Sequence, residues 1–282
     1  MRAEDDPLIV RFNERARAWR VTVENSFESE SSLIGVGRQS DRAVVLKIVK
    51  RPGDEWNSGR MLEAFDGQGM ARVYEHIEGA LLLERLAPAT SLSTLVVAGR
   101  DEEATSIIAD VISRIKVTDG PASTPTAREL ARGFDWYRKT GDTQIPQRLL
   151  DKAERIYNDL ADSQTATRLL HGDLQHYNIV HDAKRGWIAI DPKGIVGELE
   201  YEIGASLRNP YEAPAIFTAP KIIERRIKQF QSALELDGDR ILGWGYSQAV
   251  LSAIWGVEDG YAVPPESVPI VLAHSMSEML GV

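Results

Sequence analysis

The sequence predicts a two-lobed α+β fold, with a small N-terminal antiparallel-sheet lobe and a larger, mainly helical C-terminal lobe. Three observations predict it. The first ~85 residues are rich in strand patterns, the pattern becomes helical after Pro88, and a polar loop with an apolar hairpin interrupts the helical part at residues 169–191. A chain of 282 residues is long enough for two lobes. We place them at residues 1–87 and 88–282, with the connection near residues 86–90.

The N-terminal lobe is predicted to contain elements in the order βββαββ. Alternating apolar and polar side chains predict a strand at residues 19–23. Two more strands follow at 32–37 and 43–49, separated by the turn-forming residues 39–42. The remaining elements are a helix at 54–65, ended by the glycine-rich segment 66–69, and strands at 71–74 and 80–86.

The C-terminal lobe is predicted to be helical on both sides of the hairpin. Apolar residues recur at helical spacing before it and after it, and a Pro- and Gly-containing loop occupies residues 117–125. The hairpin at 169–191 turns at residues 182–186. The predicted helices are 102–117, 126–139, 146–163, 220–236, 241–255 and 267–280.

Composition and charge limit the classes of function. The net charge of −9 argues against a nucleic-acid partner, because phosphate contacts need clustered Lys and Arg; it is compatible with a cationic ligand or simply with solubility. No apolar run is long enough for a membrane helix, and the acidic first seven residues lack the order of a signal peptide, so we expect a cytoplasmic protein, monomeric or homodimeric. The absence of cysteine excludes disulfides, thiolate metal sites and cysteine nucleophiles.

The segment His171–Asn178, followed by Ile190–Gly194, carries the chemistry. Asp173 and Asn178 have the D-x-x-x-x-N spacing of a phosphoryl-transfer loop, and Asp191 follows an apolar strand. A carboxylate at Asp173 would accept the proton of a substrate hydroxyl. Oxygen atoms of Asn178 and Asp191 would hold the Mg²⁺ ions that bridge the phosphates of ATP.

These motifs, together with residues 197–202, Arg208-Asn-Pro210 and residues 251–255, resemble the aminoglycoside phosphotransferases, a branch of the protein-kinase-like fold. The chain is most similar to the streptomycin 6-kinase and hydroxyurea-resistance kinase branch, and the resemblance covers nearly its whole length. It implies transfer of the γ-phosphoryl group of ATP, with GTP as an alternative, to a hydroxyl of a small molecule, in a Mg²⁺-dependent reaction. The implied acceptor is an aminoglycoside such as streptomycin.

The resemblance implies that Lys47 contacts the α- and β-phosphates and pairs with a glutamate of the next helix. The position of Lys47 inside an apolar strand also needs an explanation that does not depend on the resemblance, because an unpaired buried ammonium is costly. The alternative is a lysine on the solvated face of an edge strand. We assign the partner as Glu55, with Glu63 as the alternative, and a solvated helix face is the structural explanation for either glutamate.

The phosphate-covering loop departs from the protein-kinase pattern, because it has no Gly-x-Gly-x-x-Gly. Residues 25–32 stand in its place, and hydroxyls of Ser31 and Ser32 are the predicted phosphate contacts. Two glutamates in this segment would repel phosphate if they pointed inward, so a solvated hairpin tip is the alternative. Backbone groups at Glu84 and Leu86, between the lobes, are the expected adenine contacts.

Three histidines allow a different chemistry. His171, Asp173 and His176 would form a zinc site of a hydrolase, but that assignment leaves Asn178 and Asp191 without roles. We therefore interpret His171 as a residue that fixes the loop, and His176 and His181 as loop and surface residues. Lys193, in the Asp-Pro-Lys-Gly sequence, either pairs with an acid, contacts a phosphate or is a surface lysine. The lack of a phenylalanine after Asp191 predicts a constitutively assembled site.

The acceptor is the least determined part of the prediction. A cationic acceptor favours acids and aromatic rings, and each candidate is also explained as a helix-face charge or a core aromatic. Trp136 and Tyr137 are further stacking candidates. Alternative functions are a kinase for a sugar, a choline-like alcohol or an amino alcohol, and a catalytically silent nucleotide-binding protein. A protein kinase is disfavoured because no Ala-Pro-Glu follows Asp191. The acceptor candidates are Glu198, Glu200, Glu202, Trp255, Glu258 and Asp259.

Overall fold

The N-terminal lobe is built on a five-stranded antiparallel sheet. In the computed structural model, which describes residues 6–281, the strands are arranged in the order β1-β2-β3-β5-β4. The acidic residues 1–5, used above against a signal peptide, lie outside this described part. The strands are β1 (Val21–Glu28), β2 (Ser32–Gln39), β3 (Arg42–Val49), β4 (Val73–Ile77) and β5 (Ala80–Glu84).

Strand β3 is central, which decides how Lys47 is placed. It pairs with β2 on one side and with β5 on the other, and Lys47 lies opposite Ile34 and Leu81. Its neighbours Leu46 and Ile48 are fully buried against the sheet's own apolar cluster. Because successive side chains alternate between faces, Lys47 points to the other face, where it is only 4% exposed. The edge-strand alternative does not apply.

Two helices flank this sheet. Helix α1 (Pro7–Ala18) begins with Asp6, whose carboxylate accepts the Leu8 N–H at 2.8 Å, and places Phe12 on the sheet. The sequence did not predict α1, in which Phe12 is the one buried residue. Helix α2 (Ser58–Phe65) starts four residues later than predicted, and the residues before it form a turn.

The C-terminal lobe packs around one long helix, α10 (Gly238–Glu258), which is buried on nearly every side and contacts α6, α7 and α11. The predicted helix at 126–139 is broken, because residues 128–131 form a 3₁₀ turn before α5. Helix α7 was not predicted as an element. The other helices are α3 (Ser93–Val97), α4 (Asp101–Arg114), α5 (Arg132–Thr140), α6 (Gln147–Asp162), α7 (Leu199–Leu207), α8 (Pro214–Phe217), α9 (Pro220–Leu234) and α11 (Val268–Met279).

Two small sheets hold the segments that carry the motifs. Strands β6 (Pro88–Ser91), β8 (Ile179–Asp182) and β9 (Gly186–Ala189) form an antiparallel sheet in that order. Strand β7 (Arg168–Leu170) pairs with β10 (Ile195–Gly197). The loop 171–178 therefore runs from β7 to β8, and residues 190–194 run from β9 to β10. The two pairings bring these two segments side by side.

Two of the contacts between the lobes use the backbone. The first is the linker after β5, where Asp182 accepts the Ala87 N–H at 3.0 Å. The second is a backbone bridge, in which Ala71 donates to the Ala189 carbonyl at 2.8 Å and Ala189 donates to the Gly69 carbonyl at 2.9 Å. The order βββαββ and the helical second lobe agree with the predicted fold class. Within residues 6–281, none of the helices has the length and hydropathy needed to cross a bilayer.

Candidate active site

Lys47 is the centre of an ion-pair triad between the lobes. Its ammonium lies 2.7 Å from Glu55 Oε2 and 2.8 Å from Asp191 Oδ1. Burial alone would lower the pKa of Lys47, but the carboxylates of Asp191 and Glu55 outweigh burial and hold the pKa above its ordinary value. The predicted pairing with Glu55 is present, although Glu55 lies in the turn before α2. Glu63 points outward and pairs instead with His76 at 3.4 Å.

His171 fixes the loop that carries Asp173. Its ring is fully buried, Nε2 donates to the Ile190 carbonyl at 2.7 Å, and Nδ1 accepts the Asp173 N–H at 3.3 Å. Burial lowers the pKa of His171, so the neutral imidazole is the form that fits these two bonds. The predicted structural role of His171 matches this placement. The same bonds tie the Asp173 loop to the segment that carries Asp191.

Asp173 and Asn178 are neighbours across this loop. The Asn178 side-chain amide donates to the Asp173 carbonyl at 2.8 Å and lies 3.5 Å from the Asp173 carboxylate. This bond uses the nitrogen of Asn178 and leaves its oxygen for a cation. Asp191 sits at a left-handed backbone position (φ 56°), which an aspartate tolerates better than most residues. The oxygen donors of Asn178 and Asp191 therefore fit Mg²⁺, which binds few carboxylates and completes its shell with phosphate and water oxygens.

Two cations flank the Asp173 carboxylate. Arg208 lies 3.5 Å from Oδ1 and Lys193 lies 3.8 Å from Oδ2. Arg208 also lies over the Trp255 ring, 5.8 Å from its centroid, which puts Trp255 one side chain away from Asp173. From the sequence, Arg208 was recognised as part of a motif but was assigned no role. The signal that could have indicated a role for Arg208 is its position at the end of α7, directly after buried residues.

Glu202 lies beneath the same loop. Its carboxylate accepts the backbone N–H groups of Gly172, at 3.0 Å, and Leu174, at 3.4 Å. Burial raises the pKa of Glu202 to about 7. The hydrogen bonds from the backbone act against this rise, and the charge of Asp173 adds to it. The side chain is 4% exposed. This placement replaces the sequence-based assignment of Glu202 to the acceptor, because its oxygens are used within the protein.

Glu198 is likewise an internal group. Its carboxylate accepts hydrogen bonds from Arg240 at 2.6 Å and from the Trp244 indole at 2.5 Å, and it is buried. We therefore also remove Glu198 from the acceptor set. Glu200 is half-buried and accepts the Asp237 N–H at 3.3 Å.

The remaining acceptor candidates differ in exposure. Glu258 and Asp259 are exposed at the end of α10, and Trp255 is half-buried near Arg208. Tyr137 is a core residue, because its hydroxyl donates to Asp142 and accepts the Ile145 N–H. Trp136 is half-buried against the core of the helical lobe.

The predicted nucleotide contacts of the N-terminal lobe are only partly accessible. Ser32 is fully buried in β2, whereas Ser31 is half-buried at the tip of the β1–β2 hairpin. The Glu84 carboxylate is used by Arg72 and Arg185. At Glu84 and Leu86 the relevant groups are in the backbone. The neighbouring N–H groups of Glu84, Arg85 and Ala87 donate to protein oxygens, and within residues 6–281 the Leu86 N–H does not.

The histidines do not form a metal site in the described chain. His171 is committed to the loop, and His176 is buried rather than at the surface as predicted. Burial lowers the pKa of His176 to about 3, and neither ring nitrogen has a hydrogen-bond partner in the part of the chain that the structure describes. Over residues 6–281, no three His, Asp or Glu side chains are grouped to hold a metal. This geometry gives the zinc-hydrolase alternative no support.

A sequence model of the aminoglycoside/hydroxyurea antibiotic resistance kinases matches residues 18–260. This chain belongs to that family. The streptomycin 3''-kinase of Klebsiella pneumoniae is 31% identical to it over 266 residues, covering 93% of this chain and 98% of that protein. The streptomycin 6-kinase of Streptomyces griseus is 26% identical over 254 residues, covering 86% of this chain and 81% of that protein.

Solved structures support the same fold. A thermostable mutant of aminoglycoside phosphotransferase APH(4)-Ia, in ternary complex with AMP-PNP and hygromycin B, superposes with a TM-score of 0.66. The match covers 96% of this chain and 99% of that one at 14% identity. The kinase-like fold predicted from the sequence is therefore confirmed. Family membership confirms the predicted enzyme class, a phosphotransferase with an alcohol group as acceptor.

Proposed function

We propose that this enzyme transfers the γ-phosphoryl group of ATP, in a Mg²⁺-dependent reaction, to a hydroxyl group of an aminoglycoside such as streptomycin. The observation that carries the proposal is the placement of Asp173, Asn178 and Asp191. They lie on two segments joined through His171, with Lys47 bonded to Asp191 from the other lobe. The spacing of these groups matches what phosphoryl transfer requires of a protein, namely positioning and charge neutralisation.

In this proposal Asp173 is the base. It orients the acceptor hydroxyl and takes its proton as the new O–P bond forms and the bond between the γ-phosphorus and the oxygen of ADP breaks. Asn178 and Asp191 would hold Mg²⁺, which, when bound, neutralises the phosphate charge. Lys47 binds the α- and β-phosphates. Glu55 keeps the Lys47 ammonium in position, because a buried ammonium is stable only when its carboxylate partners are in place.

The nucleotide is assigned to the lobe at residues 1–87 and its border with residues 88–282. Two observations support this assignment. Lys47 lies on β3, and the linker contains the Leu86 N–H, which would donate a hydrogen bond to the nucleotide base. A backbone N–H does not by itself choose between adenine and guanine, so GTP belongs in the same test. We also propose a cytoplasmic location, since the cytoplasm supplies the ATP that the reaction consumes.

The acceptor is assigned to the side of Asp173 that faces away from Lys47. Tyr177, next to Asn178, donates its hydroxyl to the carboxylate of Glu212, and burial raises the pKa of Tyr177 to about 12. Exposed Glu212 and half-buried Trp255 thus lie close to the catalytic loop, from different segments. A carboxylate and an indole ring suit a guanidinium-bearing acceptor. Glu258 and Asp259, at the end of α10, extend this acidic side.

The deciding experiment is an ATP-consumption assay with Mg²⁺ over a panel of acceptors. The panel contains streptomycin, other aminoglycosides, hydroxyurea, a sugar, choline and an amino alcohol. We expect turnover with streptomycin and a loss of several powers of ten in kcat for Asp173→Asn and Asp191→Asn, because the first removes the base and the second removes a carboxylate that would hold Mg²⁺. Turnover retained by Asp173→Asn would contradict the role of the base.

The same assay separates the other functions. Turnover with choline, the sugar or the amino alcohol alone would identify a kinase with a non-antibiotic acceptor. Tight nucleotide binding without turnover on any acceptor would identify a silent nucleotide-binding protein. Replacement of ATP by GTP decides the nucleotide preference. Product mapping by NMR then gives the phosphorylated hydroxyl, a point on which the two streptomycin kinases differ by name.

A further inference from the structure

Lys193 has a position that the proposed function leaves unused. Its ammonium lies 3.8 Å from Asp173 Oδ2 in the C-terminal lobe and 3.5 Å from Asp54 Oδ2 in the N-terminal lobe. The side chain is 38% exposed, whereas that of Lys47 is 5% exposed. Lys193 is therefore an accessible cation beside the base, and Lys47 is an enclosed one beside Asp191.

We propose that Lys193 is a second phosphate-binding residue, which contacts the transferred γ-phosphoryl group from its position beside Asp173. This inference rests on the proposed function. Two adjacent residues of one turn each pair with one of the lysines: Glu55 pairs with Lys47, and Asp54 pairs with Lys193. Lys47 already has two carboxylate partners within 2.8 Å. The two partners of Lys193 lie beyond 3.4 Å, so of these two lysines Lys193 has the greater capacity for a new ligand.

The backbone holds Lys193 in this position. The N–H groups of Lys193 and Gly194 both donate to the His171 carbonyl, at 2.9 and 3.0 Å. Gly194 has φ +81° and packs so closely on Met61 of α2 that an added Cβ would lie 2.4 Å from its sulfur. The turn is thus fixed to the catalytic loop on one side and to the N-terminal lobe on the other. The side chain is the part of Lys193 that is able to move.

Distance and charge both favour a phosphate as the ligand. A base lies about 3 Å from the hydroxyl it deprotonates, and that oxygen lies roughly 3 to 3.5 Å from the phosphorus it attacks. A cation 3.8 Å from the Asp173 carboxylate is therefore within reach of the phosphoryl oxygens. Charge on those oxygens needs a cation, and residues 25–32 at the hairpin tip contain neither Lys nor Arg.

Exchange from Asp54 to phosphate costs little. The Asp54 side chain is 74% exposed, and an exposed ion pair at 3.5 Å contributes little free energy in water. A phosphoryl oxygen offers a charge-assisted hydrogen bond in a more enclosed place. Moving the ammonium toward phosphate also leaves the Asp173 carboxylate to the acceptor hydroxyl.

The test is a comparison of nucleotide affinities, which does not depend on turnover. Lys193→Gln should bind the Mg²⁺ complex of AMP-PNP roughly tenfold or more weakly than the wild type and bind MgADP equally well, because only the first has a γ-phosphoryl group. Titration calorimetry measures both. Lys116→Gln is the matched control, since Lys116 is 36% exposed and pairs with Asp66 at 4.0 Å, and both of its affinities should be unchanged.

Asp54→Asn distinguishes two roles of Lys193: binding a phosphate, or only joining the two lobes through its ion pair with Asp54. If Lys193 binds phosphate, Asp54→Asn keeps the preference for AMP-PNP over ADP. Loss of that preference in Asp54→Asn, or equal weakening of both nucleotides by Lys193→Gln, would overturn the inference. So would unchanged AMP-PNP binding by Lys193→Gln while the wild type binds both nucleotides. A wild-type chain that binds neither nucleotide would instead refute the proposed function, and the role of Lys193 with it.

Discussion

At the scale of single residues, buried charges organise the site. Lys47, nearly inaccessible to water, is stable as an ammonium only because Glu55 and Asp191 lie within 2.8 Å of it. Those two carboxylates come from a turn of one lobe and from a strand end of the other. The cost of leaving Lys47 unpaired therefore acts to keep the two segments together, and the residue that would bind phosphates also specifies how the lobes meet.

Glu202 should give the enzyme a measurable pH dependence. Its ionised carboxylate accepts the N–H groups of Gly172 and Leu174, and its pKa is about 7. We expect kcat to fall as pH drops through about 7, because the protonated group holds the loop less well. In Glu202→Gln this inflection should disappear, with kcat lower by roughly tenfold at pH 8. Profiles of kcat against pH between 5 and 9 measure both effects.

The stability of the same variant supplies an independent check. A carboxyl whose folded pKa lies above its ordinary value of 4.5 destabilises the folded state as pH rises from about 4.5 to about 7. Glu202→Gln removes this loss, so its free energy of unfolding relative to the wild type should rise between pH 5 and pH 8, by up to roughly 3 kcal/mol. Denaturant titrations at the two pH values measure it. A difference that is independent of pH would contradict the assignment.

Some site residues were predictable from the sequence and others were not, for physical reasons. Lys47 was, because a charge inside an apolar strand is costly and stands out. Glu198 and Glu202 were not, because α7 is buried around most of its circumference, so acidic residues that look like a solvated helix face are internal. The burial of His176 was missed for a similar reason, since a loop histidine gives no sign that Asp101 and Arg226, from distant parts of the chain, lie near it.

At the scale of elements, α4 and α9 are joined by a buried ion pair. Arg226 lies 2.5 Å from Asp101 at the start of α4 and donates to the carbonyls of Ser206 and Asn209 at 2.9 Å. Burial works against ionisation of Asp101, but the guanidiniums of Arg226 and Arg225 hold its pKa below its ordinary value. The pair also lies near enough to His176, in the loop at residues 171–178, for both charged groups to affect the pKa of that histidine. Helix packing behind the site thus bears on the site itself.

Arg226→Met should lower the free energy of unfolding by about 3–5 kcal/mol, because it deprives buried Asp101 of its main partner. Asp101→Leu should cost a similar amount by leaving Arg226 unpaired. The double variant should be more stable than the sum of the single effects predicts, because it lacks both charges and so leaves neither Asp101 nor Arg226 buried without the other. Denaturant unfolding of the four proteins gives the coupling energy. Additive single effects would show that the pair is not a unit.

The elements themselves were predicted well wherever periodicity was strong. Helices α6, α9 and α11 lie within a few residues of their predicted bounds, because each buries one clear face. Helix α7 is buried almost entirely and so has no marked stripe, whereas α1 was missed although it places Phe12 on the sheet. The start of α2 was misplaced since the residues that precede it form a turn, held by the Lys47 pair with Glu55 from another part of the chain.

At the scale of the whole molecule, Arg185 links the lobes. It lies in the turn of the β8–β9 hairpin, pairs with the Glu84 carboxylate and donates to the Gly67 carbonyl at 2.6 Å. Glu84 ends β5, directly before the linker. Together with the backbone bonds between Ala71 and Ala189 and between Ala189 and Gly69, this contact opposes separation of the lobes.

Arg185→Gln should therefore lower stability by about 2–4 kcal/mol and raise KM for ATP, because Glu84 loses one of its two arginine partners beside the linker and the Gly67 carbonyl loses its donor. Thermal unfolding and initial-rate kinetics measure the two effects. Arg100→Gln is the control: Arg100 pairs with Glu103 at 2.6 Å, but both side chains are about half exposed, so less than about 1 kcal/mol should be lost. Equal losses in the two variants would show that the lobes do not depend on Arg185.

The tip of the β1–β2 hairpin has a thermodynamic consequence. Ser29 bonds back to Ser32 through both its N–H and its hydroxyl, and Lys50 donates to the Ser29 carbonyl at 2.8 Å. A segment already ordered by its own bonds loses little conformational entropy on meeting a ligand. A glycine-rich flap would have to be immobilised at that moment. Nucleotide association here should accordingly proceed without a large entropic penalty from this loop.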